Sequence, residues 1–355
     1  MTFYQELQLN QAGSKNLIRS CQGKKEKGKH IGIYVFKVLL TVVFCAGFVT
    51  LFTKIFGARN GVAGVAILLS LLAFRQVNLG FHVFQSAWVL MGIFALLAVV
   101  PHWANQVSPL GGFVINSSCI LIFLILGCHN VILFNHATIL LSYLLLYGND
   151  VEGTAYYFRV VGLLAGGGLV SLCFYFKHRK QPQKRTVADV FREFKLDSTR
   201  SRWQVKLTLG ISLSMLMGQL LGIPRTMWIG IAAMSVLQPF DVDRKTKMKY
   251  RFLGNLAGSF CFYLLVMILP KSSYGMIGIL GGIGVGFCAT YKWQTVFNVF
   301  GAAAMAMTLY GIGGAITLRI LTNAFAILFV AFFSPVFDLF ITWIGNRKQT
   351  AQSCL

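Results

Sequence analysis

Residues 236–258, VLQPFDVDRKTKMKYRFLGNLAG, leave an apolar run at Gln238 and Pro239, cross a segment dense in Lys and Arg, and return to an apolar run with Gly254 and Gly258. Either side of this stretch the apolar residues fall in long unbroken blocks. Of the 355 residues 56% are hydrophobic and 12% charged, so the pattern is that of a polytopic membrane protein. The stretch then reads as a hairpin between two membrane helices. Its basic segment is the loop, Pro239 ends the first helix, and Gly254 and Gly258 form a G-x-x-x-G face on the second.

A helix needs roughly 20 apolar residues to cross a bilayer of ~30 Å. Candidate spans lie near 32–55, 60–75, 80–101, 108–128, 130–148 and 156–177, then near 203–222, 225–240, 251–270, 274–290, 293–310 and 315–344. The expected fold is therefore all-α, with about twelve transmembrane helices. The formal charge of +22 would suggest nucleic acid in a soluble protein, but the charges sit between the apolar blocks, so no nucleic-acid partner is expected. With the N-terminal KKEKGKH (24–30) in the cytoplasm, Arg75, the 178–202 linker, the DVDRKTKMKYR segment, Lys292 and Arg347/Lys348 share its side. The opposite side receives Lys54, Arg59, Arg225 and Lys271, with Arg159 and Arg319 just inside helices, and the acidic NDVEG turn. This positive-inside distribution puts both termini in the cytoplasm. The polar first thirty residues hold no h-region, so no cleaved leader is expected. The eight cysteines are scattered, with no C-x-x-C and no histidine at metal spacing; they read as reduced, and neither metal nor cofactor is expected.

The two sets of six spans align with each other. VILFNHATILLSYLLLYG (131–148) meets QTVFNVFGAAAMAMTLYG (294–311) without a gap, pairing Phe134 with Phe297 and Asn135 with Asn298. Gly64 and Ala66 fall on Gly230 and Ala232, Pro101 on Pro270, and Arg159 on Arg319. The expected organisation is a basic segment at 1–30, a first six-helix repeat at 31–177, a linker at 178–202, a second repeat at 203–345 and a tail at 346–355. Units with an even number of spans are parallel, which leaves room for a cavity between them. In the linker, Val187, Val190, Phe191 and Phe194 recur at helical spacing beside Arg185, Arg192 and Lys195, as in an amphipathic helix on the inner leaflet.

The second half, through MWIGIAAMSVLQP, the basic loop and RFLGNLAG, resembles the fusaric acid resistance or aromatic acid exporter superfamily. The first half is a more diverged copy, with LLAF at 71–74 where the second has the V-L-Q-P ending. The resemblance implies export of aromatic or other organic anions, in bacteria often driven by the proton gradient, from the plasma membrane. Some members of that superfamily use a periplasmic adaptor; this short chain lacks the large cytoplasmic domain of longer members, and no adaptor is expected. Plant aluminium-activated malate transporters look like more distant relatives and suggest a passive anion channel as the alternative. A non-transport scaffold that binds anionic membrane lipid is a third reading. An enzyme is not expected, since neither G-x-S-x-G nor H-E-x-x-H is present.

Candidate residues of the substrate path are Asn135 and Asn298, whose amides could hold a carboxylate or phenol, His136, which could take a proton, and Gln238. The bland reading for the amides is inter-helix hydrogen bonding. Arg59, Arg159, Arg225 and Arg319 would anchor at the interface or attract anions to an exit vestibule. Arg251 with Gly254 and Gly258 marks the inner helix entry. The GILGGIGVG (278–286) and GLLAGGG (162–168) runs read as tight packing. The G-x-x-x-G faces are compatible with a homodimer.

Overall fold

A computed structural model of the chain describes residues 2–128, 135–181, 183–238 and 241–353, with side chains at all of these except 241–243 and 344–353. Among the described residues the regular structure is entirely helical. In chain order the helices are α1 (Phe3–Gln8), α2 (Gln11–Ser20), α3 (Lys24–Phe56), α4 (Gly61–Phe74), α5 (Val83–Gln106), α6 (Pro109–Gly127) and α7 (Asn135–Gly148). They continue with α8 (Thr154–His178), α9 (Val187–Arg192), α10 (Thr199–Leu220), α11 (Thr226–Val236), α12 (Asp241–Ile268), α13 (Tyr274–Phe287) and α14 (Tyr291–Ser353). Six described helical stretches are long and apolar enough to cross a membrane: Lys24–Phe56, Val83–Gln106, Pro109–Gly127, Thr154–His178, Arg244–Ile268 and Tyr291–Trp343. The chain is thus built as a multi-pass membrane protein. Its outer surface agrees: Phe36, Val43, Leu51, Trp88, Phe260, Leu328 and Phe332 stand exposed, which hydrocarbon tolerates and water does not.

Two boundaries need a physical account: one departs from the sequence reading, and the other falls between the spans expected at 293–310 and 315–344. The segment expected as a basic loop is helical, because α12 begins at Asp241. Arg, Lys and Met are good helix formers, so Arg244 to Lys249 keep the helix going while being too polar for hydrocarbon. The second concerns α14, whose apolar stretch of 53 residues would be roughly 80 Å long if straight, more than twice a bilayer. It breaks at Gly311, at φ 68° and ψ 178°, a region open in practice to glycine alone. Ala303 and Met307 before the break, and Ile312 and Ile316 after it, pack on one cluster, as in a helical hairpin. Pro239, Phe240 and Phe134 lie outside the described residues, so the helix stop assigned to Pro239 does too; α11 ends at Val236.

The chain forms two compact units. One comprises Met1–Phe48 and Lys245–Asn323, the other Val49–Arg244 and Ala324–Leu355. In the first, Phe262, Val266, Ile277, Val299, Phe300 and Ala303 make an apolar core. Gly254 and Gly258 of α12 lie against Lys292, Thr295, Val296 and Val299 of α14, and a Cβ at Gly258 would run into the Val296 carbonyl. Tyr34 Oη on α3 donates to the Phe287 carbonyl at 3.2 Å. The basic N-terminal segment is folded as well: Glu6 Oε1 lies 2.8 Å from His30 Nδ1, and Lys37 Nζ donates to the Leu9 carbonyl at 3.0 Å.

In the second unit α5 packs along α8, α4 on α7 and α8, and α10 on α6 and α11. Gly166 and Gly167 let α8 approach so closely that a Cβ would strike Ile67 of α4 or Phe94 of α5. The linker helix α9 is only six residues long, with Val190 buried and Phe191 exposed.

Candidate functional site

Among the described residues, three polar constellations bear on the candidate site. The first lies in the second unit around the turn between α7 and α8. Arg159, 3% exposed, aims its guanidinium at three oxygens: Nε donates to Asn60 Oδ1 (3.1 Å), Nη1 to the Asn149 carbonyl (2.6 Å) and Nη2 to the Arg59 carbonyl (3.2 Å). Asn60 Nδ2 in turn donates to the carbonyls of Phe56 and Ala155. Arg225, in the left-handed region at φ 59°, donates to the Gly148 carbonyl (3.0 Å) and Asn149 Oδ1 (3.1 Å). His102 Nδ1 lies 3.0 Å from Asp150. Arg225 thus bonds to the α7–α8 turn, and Arg159 ties that turn to the Arg59–Asn60 turn before α4. These contacts give both guanidinium groups a structural task there.

The fourth candidate arginine, Arg319, belongs to the first unit and to a different constellation. Arg251, Asn255 and Ser259 follow at four-residue intervals on α12, hence on one face, opposite Arg319, Thr322 and Asn323 of α14. Arg251 Nε donates to Asn323 Oδ1 (3.0 Å) and its Nη1 to Tyr291 Oη (3.4 Å). Asn255 Nδ2 and Asn323 Nδ2 both donate to the Arg319 carbonyl, at 3.0 and 2.8 Å. Asn255, Ser259, Arg319, Thr322 and Asn323 are all buried. Asn255 Oδ1 and Ser259 Oγ meet no hydrogen-bond partner among the described residues. Guanidinium, amide and hydroxyl groups in one buried seam are what a carboxylate or phenolate ligand requires.

The third constellation is ionic. Lys206 of α10, itself buried, holds Asp338 of α14 at 2.7 and 2.8 Å, and Arg244 joins through Ser334 with its Nη1 4.0 Å from the same carboxylate.

The remaining candidates fall in unlike surroundings. Asn135 is buried and donates to the Asn78 carbonyl at 3.1 Å, whereas Asn298, its aligned counterpart, is exposed and lies in the other unit. His136 is buried between Cys128 Sγ (3.6 Å) and the indole of Trp203, the two rings nearly perpendicular with centroids 4.9 Å apart. Gln238 Nε2 donates to the Ser235 carbonyl at 3.1 Å. The sequence reading missed Asn255, Ser259 and Asn323, although polar residues at helical spacing in an apolar span were a readable signal. It also missed Lys206, which could have been paired with Asp338 as opposite charges within spans.

The constellation of α12 and α14 around Arg251 and Arg319 falls in residues 213–333, which match the family described as fusaric acid resistance protein-like. That segment belongs to this family. The match covers about a third of the chain, and within it lie α11, α12, α13 and the first part of α14. No curated protein and no solved structure matches the chain. The fusaric acid resistance-like segment therefore carries both the helix-entry motif at Arg251 and the buried Arg319.

Proposed function

We propose that the protein is a transporter of the bacterial plasma membrane, with both termini in the cytoplasm, that exports aromatic or other organic anions at the expense of the proton gradient. The observation that carries this reading is the buried seam of Arg251, Asn255, Ser259, Arg319 and Asn323 within the family segment. Ionisable residues in membrane helices are costly to insert and mark substrate or ion pathways. Here the seam adds uncommitted polar atoms on Asn255 and Ser259, and its charged side chains are both cationic. Such a seam favours an anion over a cation. The charge distribution of the sequence supports the orientation, and the alignment of the two sets of six spans supports a duplicated architecture.

The test is efflux of a panel of weak aromatic acids from cells expressing wild type, Arg251→Gln, Arg319→Gln and Asn298→Ala at equal membrane abundance, with and without a protonophore. Efflux lost in both arginine variants and collapsed by the protonophore supports a coupled exporter. Flux that follows voltage and ignores the proton gradient replaces it with the channel reading, and no acid flux from folded protein overturns both.

A further inference from the structure

We propose that the linker between α8 and α10 forms a binding pocket for a phosphate group on an anionic ligand, a site separate from the seam and independent of the transport reading. An open cavity of about 650 Å3 is lined there by four cations, Arg185, Arg192, Lys195 and Arg200. Two carboxylates face them. One, Asp189, is taken up by its own helix cap, where Thr186 N and Oγ1 donate to Oδ2 at 2.9 and 2.7 Å. The other, Glu193, lies 3.6 Å from Arg185 Nε, accepts from Arg200 Nη2 and Nη1 at 3.4 and 3.5 Å, and its carbonyl accepts from Arg200 Nη2 at 3.3 Å. A phosphate, with more acceptor oxygens and up to twice the charge, competes with that carboxylate for the same guanidinium groups, and four cations face two carboxylates in the cavity lining. Ser198, whose hydroxyl caps α10 through Ser201, also lines the cavity.

The pocket is anchored, which distinguishes it from a floppy basic loop. Val187 N donates to Gln85 Oε1 at 2.9 Å, His82 N donates to the Arg185 carbonyl at 2.8 Å, and Val190 is buried. Beside it Phe191 and Leu196 are about half exposed (48% and 49%). A basic pocket flanked by outward apolar side chains suits the headgroup of an anionic lipid whose chains continue into the leaflet.

The experiment uses the purified full chain in detergent and measures binding of dioctanoyl phosphatidic acid, dioctanoyl phosphatidylcholine and inorganic phosphate. Arg192→Gln/Lys195→Gln removes two exposed pocket cations. Lys180→Gln/Lys184→Gln removes two linker cations outside the pocket. The expected result is saturable binding of phosphatidic acid, weakened about 30-fold by the pocket pair and little by the control pair. Inorganic phosphate displacing the lipid at comparable concentration assigns the pocket to a soluble phosphate; a requirement for the acyl chains assigns it to the membrane. Absence of saturable binding of either probe, or equal losses from the two pairs, overturns the proposal.

Discussion

Replacing Arg159 by Met separates a structural clamp from a transport residue. The guanidinium donates three hydrogen bonds, at 2.6, 3.1 and 3.2 Å, to acceptors in the α7–α8 turn and the turn before α4. Bonds from a charged donor contribute about 1.5–3 kcal/mol each, but they share one side chain and do not add fully. Met fills much of the volume and leaves the carbonyls of Asn149 and Arg59 without their donor, so a loss of about 4 kcal/mol is expected. For a chain of this size that lowers Tm by roughly 5 °C. Arg159→Lys keeps the charge but reaches one acceptor in place of three, and should recover less than half of the loss. Thermal unfolding of detergent-purified variants, followed by size-exclusion fluorescence, reads both numbers. A Met variant that melts with wild type yet has lost anion flux would refute the clamp and return Arg159 to the exit path.

Other perturbations test the remaining contacts. Gly258→Leu should destabilise by about 2–3 kcal/mol or abolish folding, because its Cβ would meet the Val296 carbonyl; wild-type Tm would show that α12 and α14 do not approach there. Gly311→Val forces a β-branched residue to φ 68° and ψ 178°, at a cost of about 1–3 kcal/mol; an unchanged Tm would contradict the break in α14. Lys206→Met should cost about 1 kcal/mol, since Asp338 is half exposed and keeps Arg244 nearby, and Lys206→Met/Asp338→Leu should regain most of it in thermal unfolding. Hydrogen bonds from Thr186, first backbone and then side chain, hold the Asp189 carboxyl below the usual carboxylate range. A depressed folded-state pKa means that the cap's contribution is complete above about pH 4 and lost as pH falls through the lowered value. Proteolysis of the linker should therefore rise only in strong acid for wild type, and Asp189→Asn should remove that acid dependence.

The helices were legible because the signal that reports them, long apolar blocks cut by charge, is also the physical cause of membrane insertion. It reports solvent preference and not backbone conformation, which is why the turns of α12 before Arg251 read as loop while Arg244 to Lys249 remain good helix formers. Aligning the two sets of spans pairs residues without describing their surroundings. Asn135 is buried against the Asn78 carbonyl and Asn298 is exposed, so equal positions in an alignment carry unequal roles. The partners of Arg159 were beyond reach for a different reason. Two of them are main-chain carbonyls, which every residue has, so no residue type announces the clamp. The seam on α12 differs in kind, because Arg251, Asn255 and Ser259 are side chains at a four-residue interval in an apolar helix, and that periodicity is written in the sequence. Arg159 and Arg319 align, yet the first is committed through its guanidinium to a turn while the second lies beside Asn255 and Ser259, whose Oδ1 and Oγ are uncommitted among the described residues. Under the transport proposal, that contrast in surroundings is what assigns Arg159 to the fold and the seam around Arg319 to the anion.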